Sequence, residues 1–169
     1  GSHQAIEDVA LMRVLPGMTV IAPCDVNETR QAVEAAAAID GPVYLRLARM
    51  PTAIFPEHPF TVGKGYAMRE GKDAVIFTYG AMVEVCLEAA EMLAAKGMEV
   101  TVVNMHTLKP LDEALVLDAA KRYPRIFTVE EHSVIGGLGD AAGALLAGKG
   151  AFEVDKIGGR DGLGQSGKP

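Results

Sequence analysis

Apolar positions change their spacing repeatedly along this chain, and from Asp73 onward the change is regular. Asp73 to Tyr79 is a compact β-rich run with Val75, Ile76 and Phe77 at its centre, ended by Gly80. Met82 to Lys96 is predicted to be an amphipathic helix with Val85, Ala89, Met92 and Leu93 on one face, stopped by Gly97. Val100 to Met105 follows as a strand. Leu111 to Tyr123 follows as a helix, opened by Pro110 and Asp112 and closed before Pro124. Ile126 to Val129 is a third strand, Gly139 to Leu146 a short Ala-rich helix, and Phe152 to Ile157 a last strand. Strands separated by helices in this way predict a parallel sheet with right-handed crossovers.

The first part of the chain shows the same alternation on a smaller scale. Ile6 to Leu15 is predicted as a helix with Glu7 and Asp8 in its opening turn, and Thr19 to Ala22 as a strand. Val26 to Ile39 is a helix with Asp25 as N-cap and Glu28 three residues later, the spacing of a capping box. Val43 to Leu47 is a strand. Two strands and two helices are too few for a complete domain. Pro51 to Gly65 has three prolines, two glycines and no periodicity, which marks a linker. The expected class is therefore α/β. A parallel-sheet domain over residues 66–169 follows a linker over 51–65 and the end of a second α/β domain over 1–50.

Composition narrows the function. Hydrophobic residues make up 49% of the 169, ample for a core. No apolar run approaches the roughly 18 residues needed to cross a bilayer, so no membrane association is expected. The net charge is −6, and the densest basic cluster is Lys121, Arg122 and Arg125. Three charges are too few to neutralise the phosphates of a duplex, which argues against nucleic acid. Cys24 and Cys86 lie far apart in apolar contexts and read as buried thiols of a cytosolic protein. The four histidines, His3, His58, His106 and His132, have no metal-ligand spacing, so no metal site is expected.

Three local patterns could carry chemistry. Gly137-Leu138-Gly139-Asp140-Ala141-Ala142 is a G-x-G-x-x-A, with Asp161 about twenty residues on as a ribose-binding acid. Seven residues separate it from the preceding strand, however, and Asp140 puts a negative charge where a diphosphate would lie. A tight strand-to-helix turn is the better reading. Glu130-Glu131-His132 ends a strand at the edge that carries function in open α/β sheets and could do acid–base work. With no nucleophile nearby, bonding to neighbouring loops or to a partner subunit is preferred. Arg46 and Arg49 flank a strand end and could present a guanidinium to phosphate or carboxylate. Three is an odd spacing, so a continuing strand would put only one of them in a given pocket.

Taken in order, the motifs resemble those of transketolases. Ser2-His3-Gln4-Ala5-Ile6-Glu7-Asp8-Val9-Ala10-Leu11-Met12-Arg13 is similar to the family's T/S-H-Q-x-x-E-D-x-A-x-x-R segment. Pro16-Gly17-Met18, Pro23-Cys24-Asp25 and Gly41-Pro42 follow, then Gly63-Lys64-Gly65, Lys109-Pro110-Leu111-Asp112, Glu130-Glu131-His132, Gly136-Gly137-Leu138-Gly139 and Gly164-Gln165-Ser166-Gly167. The match runs along essentially the whole chain, and the His-Gln pair favours the C-terminal subunit of split transketolases.

The resemblance implies that residues 1–50 end a pyrimidine-binding domain and that 66–169 form most of the family's C-terminal domain. It also implies that His3 hydrogen-bonds hydroxyls of the donor sugar, as the chain's catalytic and substrate-binding histidine. It selects Arg49, rather than Arg46, for the sugar's terminal phosphate. The reaction implied is transfer of a two-carbon ketol unit between sugar phosphates, with thiamine diphosphate and Mg2+ in the complete enzyme. The family's catalytic glutamate, its pyrimidine-holding aromatics and its G-D-G…N motif have no counterpart here. This chain is therefore expected to be an excerpt of a longer protein, inactive and cofactor-free by itself. The partner implied is the N-terminal diphosphate-binding domain or subunit, within a homodimer or heterotetramer. The alternatives are a 1-deoxyxylulose-5-phosphate synthase, a 2-oxoacid dehydrogenase β-subunit, or a non-catalytic dimerisation and assembly module.

Overall fold

A computed structural model describes residues 5–162. Thirteen elements are described, and they form two sheets. The first part supplies α1 (Asp8–Val14), β1 (Thr19–Ile21), α2 (Val26–Ala38) and β2 (Val43–Leu45). The second supplies β3 (Tyr66–Arg69), β4 (Ala74–Thr78), α3 (Met82–Ala94), β5 (Val100–Asn104), β6 (Thr107–Lys109), α4 (Glu113–Arg122), β7 (Arg125–Ser133), α5 (Leu138–Leu146) and β8 (Glu153–Gly159). The larger sheet has the order β3-β5-β4-β7-β8, and its four strands β5, β4, β7 and β8 run parallel. The expected α/β class with parallel strands is what the molecule shows.

Two strands absent from the predicted elements change the architecture. β3 pairs antiparallel with β5 and closes one edge of the larger sheet. β6 leaves that sheet and pairs antiparallel with β1, giving a small sheet of order β2-β1-β6. Both are only three or four residues long, too short for a period-two pattern to show. Through β6, the second part of the chain completes the sheet begun by the first.

β4 is central and buried on both faces, as expected of a parallel strand between helical layers. Val75 and Phe77 point into a core shared with Val9, Val20, Ala22, Met105, Leu108 and Ile126, so one apolar cluster spans both parts. Ala74 and Ile76 face the opposite layer, under α3. There the predicted helix face is corrected. Val83, Cys86 and Ala90 are buried, whereas Val85 and Met92 are 49% and 67% exposed. The helix is apolar almost all round (MVEVCLEAAEMLA), so two stripes competed in the pattern and the sheet selected the other.

The capping box of α2 is also modified. Asp25 accepts from the Glu28 N–H at 2.8 Å, but Glu28 reaches past it to the Cys24 N–H at 2.8 Å. Glu28 is buried and also accepts from Asn104 Nδ2 at 2.8 Å, with His58 Nε2 at 3.3 Å. The segment read as a linker contains no helix or strand between 51 and 65, but many bonds hold it. Phe55 N–H donates to Asp25 and Ala53 N–H to Glu84, each within 2.9 Å. Gly65 N–H donates to Asp112, the N-cap of α4. The His58 ring stacks on Tyr66 at 4.0 Å and Phe60 on His106 at 4.1 Å.

Burial, helped by the neighbouring His58, pushes the His106 imidazole down from 6.5 to about 4. Below pH ~6.5 the unfolded chain binds a proton on this ring that the native chain refuses until about pH 4. Stability must therefore fall as pH falls through this window, by on the order of 3 kcal/mol from this group. Urea unfolding at a series of pH values is expected to show a shallower acid limb for His106→Asn. An unchanged slope would show that His106 is not the group responsible.

Candidate functional site

The sites proposed for chemistry lie around α1, the end of β2 and the end of β7, and α1 is the least self-sufficient of these. It has seven residues, too few to persist alone, and Glu7 at its N-cap makes no side-chain cap bond. Its end groups are satisfied from elsewhere. The Ala10 N–H, which has no intrahelical partner, donates to His132 Nε2 at 3.3 Å. His132 Nδ1 in turn lies 2.7 Å from the Ser133 carbonyl, so the ring is bonded as the Nδ1–H tautomer. At the other end, Lys109 Nζ donates to the Arg13 and Leu15 carbonyls at 2.9 and 2.6 Å. Arg13 donates to the carbonyls of Gly136 and Gly137, the latter at 2.7 Å. Burial lowers the pKa of the Arg13 guanidinium, against the pull of Glu130 and Asp140.

A second cluster joins α1 to β2. Asp8 Oδ2 accepts from Tyr44 Oη at 2.8 Å and from Arg46 Nε at 3.0 Å. Burial, with the bond to Asp8, pushes the Tyr44 hydroxyl up to about 12. Asp8, Arg13 and Lys109 fall in the family-like motifs and Tyr44 does not, but none of their contacts is visible in the spacing. For the pairing of Asp8 with Arg46 the sequence offered no more than their opposite charge.

The glycine loop before α5 does not hold a ligand site. Glu130 is fully buried, and its two carboxylate oxygens accept from the Leu138 and Gly139 N–H groups at 2.9 and 3.0 Å. Tyr79 Oη adds a third bond at 3.1 Å, and burial beside Glu130 pushes that phenol up. The N-terminus of α5, where a phosphate would bind, is thus filled by the chain's own carboxylate. A Cβ on Gly137 would stand 2.0 Å from Glu130 Oε2, so this glycine is needed for the close approach. Asp140 is held ionised below its usual range by Lys156 at 2.8 Å and by the Gly136 N–H. Asp161 is exposed beyond β8. Glu130 and His132 serve as bonds between elements, and Glu131 is exposed.

The predicted site residues have different fates. His3 lies outside the described residues, as does Gly164-Gln165-Ser166-Gly167. Arg49 is exposed, in the loop four residues beyond the end of β2, and has no hydrogen bond among the described residues. β2 stops at Leu45, before either arginine, so alternation along a strand does not decide between them. Their partners do distinguish them. Arg46 is committed to Asp8 and to backbone carbonyls, and Arg49 is uncommitted.

The chain is thus an α/β molecule in which a small three-stranded sheet and a larger, mostly parallel one share a core. The model of the transketolase C-terminal domain matches residues 63–169, and that of the transketolase pyrimidine binding domain matches 1–53. The chain belongs to the transketolase family, a family of thiamine-diphosphate-dependent transferases. It is 43% identical over 169 residues to the 6-deoxy-6-sulfo-D-fructose transketolase subunit SqwH of a Clostridium strain, covering 99% of this chain and 52% of that protein. It is 40% identical over 157 residues to 1-deoxy-D-xylulose-5-phosphate synthase 1 of Geobacter sulfurreducens, covering 90% of this chain and 25% of that protein. A solved structure described as a split gene transketolase, inactive beta4 tetramer, superposes with a TM-score of 0.91 at 46% identity, covering 97% of this chain and 55% of that one. The chain therefore spans about half the length of the split transketolase subunits it matches.

The family implies thiamine diphosphate and a divalent metal in the full enzyme. The glycine loop before α5 is filled by Glu130 and flanked by Asp140, so these residues do not fit a diphosphate. Calorimetric titration of thiamine diphosphate into this chain alone is expected to show no saturable binding in the micromolar range. Gly137→Ala is expected to lower stability by about 2–4 kcal/mol by displacing the carboxylate from two helix N–H groups. Gly143→Ala, within α5 and with open space at its Cβ, is the control and should be neutral or stabilising by up to about 1 kcal/mol. Equal melting temperatures for the two variants would contradict the packing argument.

Proposed function

We propose that this chain is the sugar-phosphate-binding edge of a split transketolase, transferring a two-carbon ketol unit between sugar phosphates when joined to the subunit that carries the diphosphate-binding domain. Residues 1–50 end the pyrimidine-binding domain, 51–65 link, and 66–169 form the C-terminal domain. The ranges matched by the two family models support this division. The observation that carries the reading is Arg49, an exposed guanidinium with no protein partner among the described residues, beside an arginine that is fully engaged.

In this role Arg49 holds the terminal phosphate of the sugar through charge-assisted bonds. His3 hydrogen-bonds donor hydroxyls and moves protons at those oxygens, contributing ~10²-fold as a general acid–base group. Thiamine diphosphate and Mg2+ are held by parts of the enzyme outside these 169 residues, the partner among them. The assembly is a homodimer or heterotetramer; the split-gene relative, described as an inactive beta4 tetramer, supports association with further subunits and no more than that. Cytoplasmic location fits its two buried free thiols, and no helix among the described residues is long and apolar enough to cross a membrane.

A synthase acting on pyruvate is the second reading, favoured by the 40% identity to the deoxyxylulose-phosphate synthase. Assay of the full-length protein with its partner, on a ketose phosphate and in parallel on pyruvate with an aldose phosphate, separates the two. Turnover of the ketose phosphate alone is expected. Arg49→Ala should raise KM for phosphorylated substrates about 10- to 100-fold while changing kcat much less, because phosphate binding of this kind is uniform between ground and transition states. An unchanged KM would sink the assignment.

A further inference from the structure

Arg46 joins three stretches of chain that are far apart in sequence. Its own N–H donates to the Ile21 carbonyl at 2.8 Å, so the backbone just past β2 is fixed to β1. The side chain is 14% exposed. Its Nε donates to Asp8 Oδ2 at 3.0 Å, at the start of α1. Its Nη2 donates to the Ala5 carbonyl at 3.2 Å and to the Glu131 carbonyl at 2.9 Å, and Nη1 lies 3.8 Å from Glu131 Oε2. Asp8 is tied to the same strand again through Tyr44, two residues before Arg46. A planar fork with separate donors can hold three segments at once; a lysine ammonium on a flexible stem cannot fix the same geometry.

Arg49 stands three residues further on, in a loop with no helix or strand of its own. A three-residue stretch spans at most about 11 Å, so where Arg46 is anchored strongly limits where the Arg49 guanidinium can reach. No bond of its own holds the Arg49 side chain among the described residues. The anchor nearest in the chain with bonds to other elements is Arg46.

We propose that Arg46 is a positioning residue for the phosphate of the substrate. By clamping the end of β2 to the Ala5–Asp8 segment and to the end of β7, it presents Arg49 at a fixed place without touching substrate itself. The inference rests on the reading of Arg49 as the phosphate ligand. It makes the C-terminal part of the chain, through Glu131, a determinant of affinity for phosphorylated sugars.

The test is steady-state kinetics of the full-length protein assembled with its partner, using a phosphorylated ketose and its dephosphorylated counterpart as donors. Arg46→Met is expected to raise KM for the phosphorylated donor about 5- to 10-fold, to leave the dephosphorylated donor unaffected, and to add nothing in an Arg49→Ala background. Arg46→Lys should not restore the wild-type KM. Asp8→Asn reads the same clamp with a milder change and replaces Arg46→Met if that variant does not assemble. Effects on both donors alike, additivity with Arg49→Ala, or lost thermal stability with unchanged KM would each overturn the positioning role. If Arg49→Ala itself leaves KM unchanged, the phosphate reading falls instead, and the positioning role falls with it.

Discussion

The Glu130 carboxylate has no exposed atom and depends wholly on protein donors. A carboxylate in such a place is sustained only by bonds that replace its water, and three are present: two N–H groups at the start of α5 and the Tyr79 hydroxyl. Much of the surrounding structure follows from this requirement. The start of α5 must come up against the end of β7, which demands glycine at 137. The carbonyls of Gly136 and Gly137 both accept from Arg13 of α1, that of Gly137 while also taking the Ala141 N–H of α5. One negative charge thus sets the loop, and the loop sets a helix belonging to the other part of the chain.

That dependence explains how a first part with only two strands and two helices can keep its shape. α1 is too short to be stable from its own hydrogen bonds. Its N–H and C=O ends are closed by His132 and Lys109, both from the second part, and β6 extends the small sheet by pairing with β1. Val9, Val20 and Ala22 bury themselves in the same cluster as Phe77 and Ile126. The boundary between the two parts is therefore a line in the sequence more than a gap in the packing. Force or strain on β7 would be felt directly at the entry to α1.

Elements with strong periodicity were legible in the sequence, and those made by pairing were not. α2 and α3 follow from apolar spacing and stop signals, though in α3 the apolar residues surround the helix, and the pattern alone pointed to the face that is exposed. β3 and β6 exist because β5 and β1 offer free edges, a fact about other strands that no local window contains. The segment 51–65 lacks periodicity, and its order comes from side chains such as Asp25, Glu84 and Asp112 that bond its backbone from a distance. At the candidate site, resemblance to a family distinguished the two arginines where strand alternation had no bearing. The bonds of Arg46, made to Asp8 and to carbonyls 41 and 85 residues away, could not be read from either end.

The distribution of cations gives that distinction a physical basis. Arg13, Lys109 and Arg46 all spend their donors on backbone carbonyls or a buried acid at the junction of the two parts. Each is consumed by the fold, because an unpaired carbonyl or carboxylate there would cost more than the entropy of ordering a long side chain. Arg49 sits close to this junction in the sequence, exposed and with no such bond among the described residues. Arg46 is bound into the junction and Arg49 has no bond among the described residues, so exchanging their surroundings would need a different path for β2 and not merely a different side chain.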